Sequence, residues 1–303
     1  MELGLKWLHW FISGMVVLIL FLGGCAGRGP GVSVENSDTF PIGAIICTGQ
    51  EREVTFEEMI DDLVTARIVY VGESHTNPAH HAFQLEILKA LHQRHPDMAV
   101  GMEMFAQPYQ EVLSRWSTGL LSEERFLALT HWYANWRHDF SLYRDQLLYI
   151  REHGIPLVAL NLEFHIPSRI AAGGLDSLLP YQAEQIPDRV DLTNSRHREF
   201  VRNAYDSHGK HVRGRYDFED FYAAQVVWDE AMAEAVARSI DRRVMIVFAG
   251  RGHIAYYFGI PERAHHRTGL EYRTVLPQMA GETIDFSVAD YLWISEPHRQ
   301  HGH

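Results

Sequence analysis

Cysteine is nearly absent, 2 residues in 303. A framework of disulfides is thereby excluded, and the fold has to rest on a hydrophobic core. Basic residues are also short, with 27 Lys and Arg against 39 Asp and Glu, a formal net charge of -12. An acidic chain without clustered Lys and Arg argues against nucleic acid as a partner. No segment repeats at a solenoid period. Long apolar runs are missing as well: the stretch from Phe11 to Leu22 falls short of a comfortable bilayer span.

That stretch follows Lys6 and closes in Leu22-Gly23-Gly24-Cys25. A positive residue, a short apolar run and a small-residue end are the layout of a targeting segment. The end resembles the bacterial lipobox, whose cysteine is lipidated and becomes the first residue. Residues 1–24 are therefore expected to be a lipoprotein signal peptide, with Cys25 lipidated and the protein held on the lipid bilayer of a cell envelope. Ala26 resembles the sorting residue of lipoproteins at the outer membrane, facing the periplasm. An uncleaved anchor helix is the alternative. With Cys25 lipidated, Cys47 is alone. Residues 25–54 are expected to be a tether and N-terminal segment, Gly-, Pro- and Ser-rich from Arg28 to about Phe40. One domain then runs over 55–296, and 297–303, with His298, His301 and His303, is a frayed tail.

Composition inside that domain is ordinary, 46% hydrophobic and 22% charged, which suits a globular fold. Thr55-Phe56-Glu57-Glu58 is a capping box opening a helix. Ile68-Val69-Tyr70-Val71 reads as a buried strand, Gly72 as a sharp turn, and Asn77-Pro78 as the cap and first turn of a helix striped by Ala82, Leu85, Leu88 and Leu91. Strands follow at 99–104, 157–161 and 244–249, with late strands near 270–275 and 289–294. Helices are expected at 107–116, 122–136, 139–153, 167–179, 194–208 and 217–240. Strands alternating with helices predict an α/β fold with a mostly parallel sheet flanked by helices. The block 105–153 is too long for an ordinary crossover and reads as a helical insertion over the carboxyl ends of the strands.

Those ends are where open α/β sheets bind ligands. Four apolar strands each run out into polar residues, giving Glu73 and His75, Glu103, Asn161, and His253. Gly72-Glu73-Ser74-His75 and Gly250-Arg251-Gly252-His253 share one spacing, so two imidazoles are presented by tight turns with carboxylates near them. Imidazole with carboxylate suits a divalent metal such as zinc, manganese or iron, and equally suits general acid–base work. The opposing reading has Asn161 capping a turn and Glu103 bonding backbone amides. The 19 histidines raise the expectation of metal or haem chemistry.

The segments VGESHTNPAHHAFQLEIL, VGMEMF, PLVALN, QVVWDEAMA and VFAGRGHIAYYFGIPERA, in that order, resemble the ChaN family of iron-regulated haem-binding lipoproteins within the Tiki-type superfamily. The resemblance implies haem binding, a role in haem or iron acquisition, and haem pairing at a homodimer contact. It also brings an alternative, a metal-dependent hydrolase or peptidase using His75, His253 and Glu103 or Glu73. Arg251 departs from the family, which carries a small residue there.

Haem needs an axial ligand, an apolar slot and partners for its propionates. The insertion concentrates His131, Trp132, Tyr133, Trp136, His138, Phe140 and Tyr143. Tyrosine ligation is the type the resemblance implies. Tyr143, beside Arg144, is the first candidate and Tyr133 the second, with His131, His138 and the His80-His81 pair as imidazole alternatives. The same aromatic stripe is also what a helix packed on a sheet shows, with Phe126, Leu129 and Tyr133 facing inward.

Overall fold

The computed structural model describes residues 33–35, 40–207, 216–241 and 243–297. The leader, the lipobox and residues 298–303 of the tail lie outside them. The strands are β1 (Ser33–Glu35), β2 (Ile45–Cys47), β3 (Arg52–Val54), β4 (Ile68–Glu73), β5 (Met98–Ala106), β6 (Leu157–Asn161), β7 (Val244–Gly250), β8 (Tyr272–Met279), β9 (Thr283–Asp285) and β10 (Tyr291–Ser295). The helices are α1 (Phe56–Leu63), α2 (Pro78–Arg94), α3 (Gln110–Ser117), α4 (Glu123–Thr130), α5 (Trp132–Asn135), α6 (Ser141–Glu152), α7 (His165–Gly173), α8 (Pro180–Ala183), α9 (Ser195–Ser207), α10 (Phe218–Ser239) and α11 (Ile260–Thr268).

Eight strands form one sheet in the order β3-β2-β10-β8-β4-β7-β5-β6. From β10 to β6 every pair is parallel, while β2 and β3 add an antiparallel edge. The fold is thus α/β with a mostly parallel sheet. Side chains alternate across it as a pleat requires. Val69, Val71, Val100 and Ile246 enter the core beneath α1, α2 and the insertion. Ile68, Tyr70, Ala99 and Val247 enter the core beneath α10 and α11. Both faces are covered, so the central strands are apolar throughout.

Local chemistry sets the helix starts. Thr55 and Glu58 form the reciprocal capping box of α1. The Asn77 side chain accepts from Ala79 N at 3.0 Å, and Pro78 opens α2. The insertion contributes Leu113, Trp116, Leu147 and Ile150 to the core, and its stretch from Trp132 to Tyr143 reaches the strand ends. Among the described residues, no helix is long and apolar enough to cross a membrane.

Two expectations change at the start of the domain. Segment 25–54 is not only a tether, because β2 and β3 are strands of the main sheet. Cys47, buried in β2, is disulfide-bonded and not a lone thiol.

Candidate functional site

The three central strands, β4, β7 and β5, bring their carboxyl ends together. Glu73 pairs in register with Gly250. Between Met102 and Ala106 the β5–β6 register slips, since Met102 faces Ala159 and Ala106 faces Asn161. Glu103 lies in that bulge. A bulge re-aims a side chain, and here it turns a carboxylate from a buried strand toward its neighbours.

The Glu73 carboxylate is buried and holds three groups. His75 Nδ1 donates to Oε1 at 2.8 Å, and the Tyr143 hydroxyl donates to the same oxygen at 3.0 Å. His81 Nδ1 lies 2.8 Å from Oε2 without the alignment of a hydrogen bond. Burial works to raise the Glu73 pKa, but the His75 and His81 contacts outweigh it and hold the group below its ordinary value. Burial likewise opposes charge on His75, and the Glu73 hydrogen bond with the nearby Glu103 carboxylate raises its pKa all the same.

Glu103 is the second anchor. It accepts from Gly250 N at 2.6 Å and lies 3.3 Å from His253 Nε2. His253 Nδ1 donates to Asp229 Oδ1 at 2.5 Å, so this imidazole is held between two carboxylates. Burial would lower the His253 pKa, but Glu103 and Asp229 raise it to about 10. Glu103, despite complete burial, is held down at about 2, chiefly by His253. Asp229 Oδ2 is 3.5 Å from the wholly buried His197 Nε2. His197 Nδ1 accepts from Arg263 at 3.3 Å, and burial pushes its pKa down to about 4.

Gly250 makes the approach of the two anchors possible. A Cβ there would come within 2.8 Å of His75 Cε1 and 3.5 Å of Glu103 Oε2. Asn161 donates to the Glu103 carbonyl at 2.8 Å and accepts from the Trp228 indole, so it pins the bulge and does not cap a turn. Arg251 turns away to the Pro277 carbonyl, at 2.5 Å, and leaves the polarity of the cluster unaltered.

The four residues expected to hold a metal are therefore brought together, but as ion pairs. Among the described residues, no group of three His, Cys, Asp or Glu is arranged to hold a metal ion. The carboxylate oxygens of Glu73 and Glu103 face imidazoles and a backbone N–H.

The haem-ligand candidates separate sharply. Tyr143 is fully buried, with its hydroxyl on Glu73 and 3.3 Å from the His75 carbonyl. Burial and then the Glu73 carboxylate push its phenol far up, away from the phenolate a ferric ligand requires. Arg144 does not help it, because that guanidinium pairs with Glu123 at 2.8 Å. The Tyr143 hydroxyl is thus engaged by the Glu73 carboxylate in this structure. Tyr133 stands 60% exposed, not packed on the sheet. His131 is exposed in a left-handed conformation at the end of α4, its ring 6.2 Å from that of Tyr109. His138 sits at the mouth of the cluster, its ring 5.2 Å from His75 and 5.4 Å from Trp136. Burial and then His75 lower its pKa, so the imidazole is neutral at pH 7. His80 and His81 are buried.

Beside this mouth, Tyr109, Asn135, Trp136, Leu162 and Phe164 line a shallow pocket against the ends of β5 and β6. Phe164 is 46% exposed, and the Arg137 guanidinium lies over its ring at 5.2 Å. Sequence reasoning missed Asp229, His197, Gln84 and Gln146. The signal for Asp229 was a carboxylate inside the run Val226-Val227-Trp228-Asp229-Glu230-Ala231, a mostly buried stretch of helix with no solvent to offer it.

The haem-binding uptake family ChaN, of the Tiki superfamily, matches residues 59–264. This chain belongs to that family. The same span contains every residue of the cluster and the aromatic pocket. ChaN of Campylobacter jejuni, in a structure of cofacial haem binding, shares 20% identity over 84% of this chain and 97% of that one, with a TM-score of 0.68. At that identity it shows the fold. An erythromycin esterase EreC in its open conformation covers 82% of this chain and 77% of its own at 14% identity and a TM-score of 0.45. The C-terminal region of Pasteurella multocida toxin covers 77% of this chain and 26% of its own at 12% identity and 0.46. Neither of these two carries an argument. No curated protein matches the chain.

Proposed function

We propose that this ChaN-family protein binds haem at the strand-end face of the insertion and serves haem or iron uptake at the bacterial cell envelope. One observation carries the reading beyond family membership. Trp136 and Phe164 offer partly exposed aromatic surface beside a neutral imidazole, His138, and a guanidinium, Arg137. Those are the parts haem asks for: a flat apolar bed, a nitrogen donor and a cation for propionates. Haem, when bound, would supply the iron, and these side chains would hold the group against the strand ends. The chain's own residues bed the macrocycle and hold its carboxylates. The buried ion pairs beneath keep the strand ends in place, since a cluster this dry is rigid only when its members stay paired.

Titration with haemin tests this. A saturable Soret change at a fixed ratio of haem to protein is expected, and it should weaken about tenfold or more, ~1.4 kcal/mol, in Phe164→Asp. Linear, unsaturable absorbance would defeat the reading.

Attachment to the bilayer through Cys25 belongs to the same proposal and is supported by the Leu22-Gly23-Gly24-Cys25 motif. Cys25 is the one other cysteine of the chain, so its lipidation and a disulfide at Cys47 are alternatives for one sulfur. Homodimerisation around haem is proposed on the family resemblance.

A further inference from the structure

We propose that His92 and His153 form a binding site for a late divalent transition-metal ion, Cu²⁺ above all, at the edge of the sheet opposite the strand-end face. The site stands apart from the haem-binding reading. His92 lies in the last turn of α2, and His153 caps the end of α6. The chain enters β5 at Met98 after the first and β6 at Leu157 after the second, so both histidines stand at the amino ends of strands. Helix α2 starts at Pro78 beside the strand-end cluster, which puts His92 about 20 Å from that start. The two imidazole rings meet with centroids 5.3 Å apart and planes at 82°. A metal ion ~2.0–2.1 Å from one nitrogen of each of two imidazoles, in a tetrahedral arrangement, sets the ring centroids about 5 Å apart. The observed spacing matches two rings that share one ion.

One residue orients both rings. The Tyr149 hydroxyl meets His92 Nδ1 at 3.0 Å, and the Tyr149 carbonyl accepts from His153 Nδ1 at 2.9 Å. The Tyr149 ring lies against His153, centroids 4.0 Å apart, and stands edge-on to His92 at 5.7 Å. With Nδ1 engaged on each ring, Nε2 is the nitrogen left for a ligand. Among the described residues no side chain engages either Nε2, and the Pro96 carbonyl is the other polar group near the His92 ring. Metal-binding histidines hold their second nitrogen in this way, which fixes ring and tautomer. His92 is half-buried and His153 exposed, so an ion reaches both from solvent. The Lys89 ammonium, 5.7 Å from the centre of the Tyr149 ring, repels a cation there, and solvent screens that repulsion. Two imidazole nitrogens, with water in the remaining positions, suit Cu²⁺ better than Ni²⁺ or Zn²⁺.

The test adds CuCl₂ to the full chain, free of haem, and reads pulsed electron paramagnetic resonance. The wild type should show one Cu²⁺ coupled to two imidazoles. His92→Gln and His153→Gln should each lose one coupled imidazole and bind Cu²⁺ about tenfold or more weakly by calorimetry, with native circular dichroism. Tyr149→Phe keeps the ring and the carbonyl and removes the hydroxyl, so it should weaken binding less than either. Haemin uptake should be the same in both histidine variants as in the wild type. Glutamine at His298, His301 and His303 should leave the two-imidazole signal intact. A signal that vanishes with those tail histidines, or that persists in both His92→Gln and His153→Gln, overturns the site. So does a wild type whose Cu²⁺ is coupled to a single imidazole.

Discussion

Tyr143 shows how much a single buried hydroxyl can hold. It donates to a buried carboxylate that also carries two imidazoles. Tyr143→Phe keeps the ring and removes the donor, so about 1–3 kcal/mol of stability should be lost, measured as a lower denaturant midpoint. The haem spectrum should be unchanged, which separates a structural phenol from a ligating one. The charged pairs beside it make stability depend on pH in a stated direction. His253 is raised from 6.5 to about 10, so its contribution is full below pH 6.5 and is lost as pH rises through 10. Glu103 is lowered from 4.5 to about 2, so its contribution is full above pH 4.5 and is lost as pH falls through 2. These are two sides of one ion pair and count once. His197 is lowered from 6.5 to about 4, so its neutral form stabilises above pH 6.5 and the benefit fades as pH falls through 4. Melting temperature should therefore peak near pH 6.5. His197→Gln should flatten the acid limb and His253→Gln the alkaline one. A melting temperature that climbs steadily from pH 6.5 toward 10 would contradict this. Glu73, His75, Glu103 and His253 were legible because each closes an apolar strand. Asp229 and His197 were not, because only tertiary packing brings α10 and α9 against β7 and its following turn.

Among the elements, the end of β7 and the bulge of β5 act as a pair. The missing side chain at Gly250 is filled by the ring of His75, whose position Glu73 fixes. Gly250→Ala should cost about 1–3 kcal/mol, as overpacking does, and should displace His75. Thermal melts give the first quantity, and the His75 imidazole chemical shifts give the second. Unchanged shifts would mean that the backbone yields instead. Element types were readable from strand runs and caps, and β6 falls at the expected residues, 157–161. The expected stripe of α2 was less reliable. Its buried face is Phe83, Gln84, Ile87, Leu88 and Leu91, while Ala82 is exposed, because buried His80, His81 and Gln84 dilute the apolar period. The short strands β2 and β3 escaped because three-residue strands show too little alternation to register. Helix 122–136 breaks at His131, whose left-handed backbone ends α4 and starts α5, and no glycine or proline announces that break.

For the whole molecule, helices cover both faces of the sheet, and its carboxyl edge is left to the insertion. A mostly parallel sheet with a ligand edge could be read from strand–helix alternation. The seat of the ligand could not, because which aromatics of 131–143 are buried depends on packing: Trp132, Phe140 and Tyr143 go in, and Tyr133 stays out. The state of Cys25 is a property of the whole chain in its envelope. Fatty-acid labelling in cells should mark the wild type and not Cys25→Ser, and in labelled protein Cys47 should react with a thiol reagent under denaturing conditions. Equal labelling of both proteins would remove the anchor. The central claim is that the strand-end face binds haem. Its most direct measurement is the absorption titration of the purified chain with haemin, run beside a Trp136→Ala, Phe164→Ala variant. The account expects saturation at a fixed ratio in the wild type and a binding curve shifted about tenfold or more in the variant. Superimposable curves for the two proteins, or a wild type that never saturates, would contradict it.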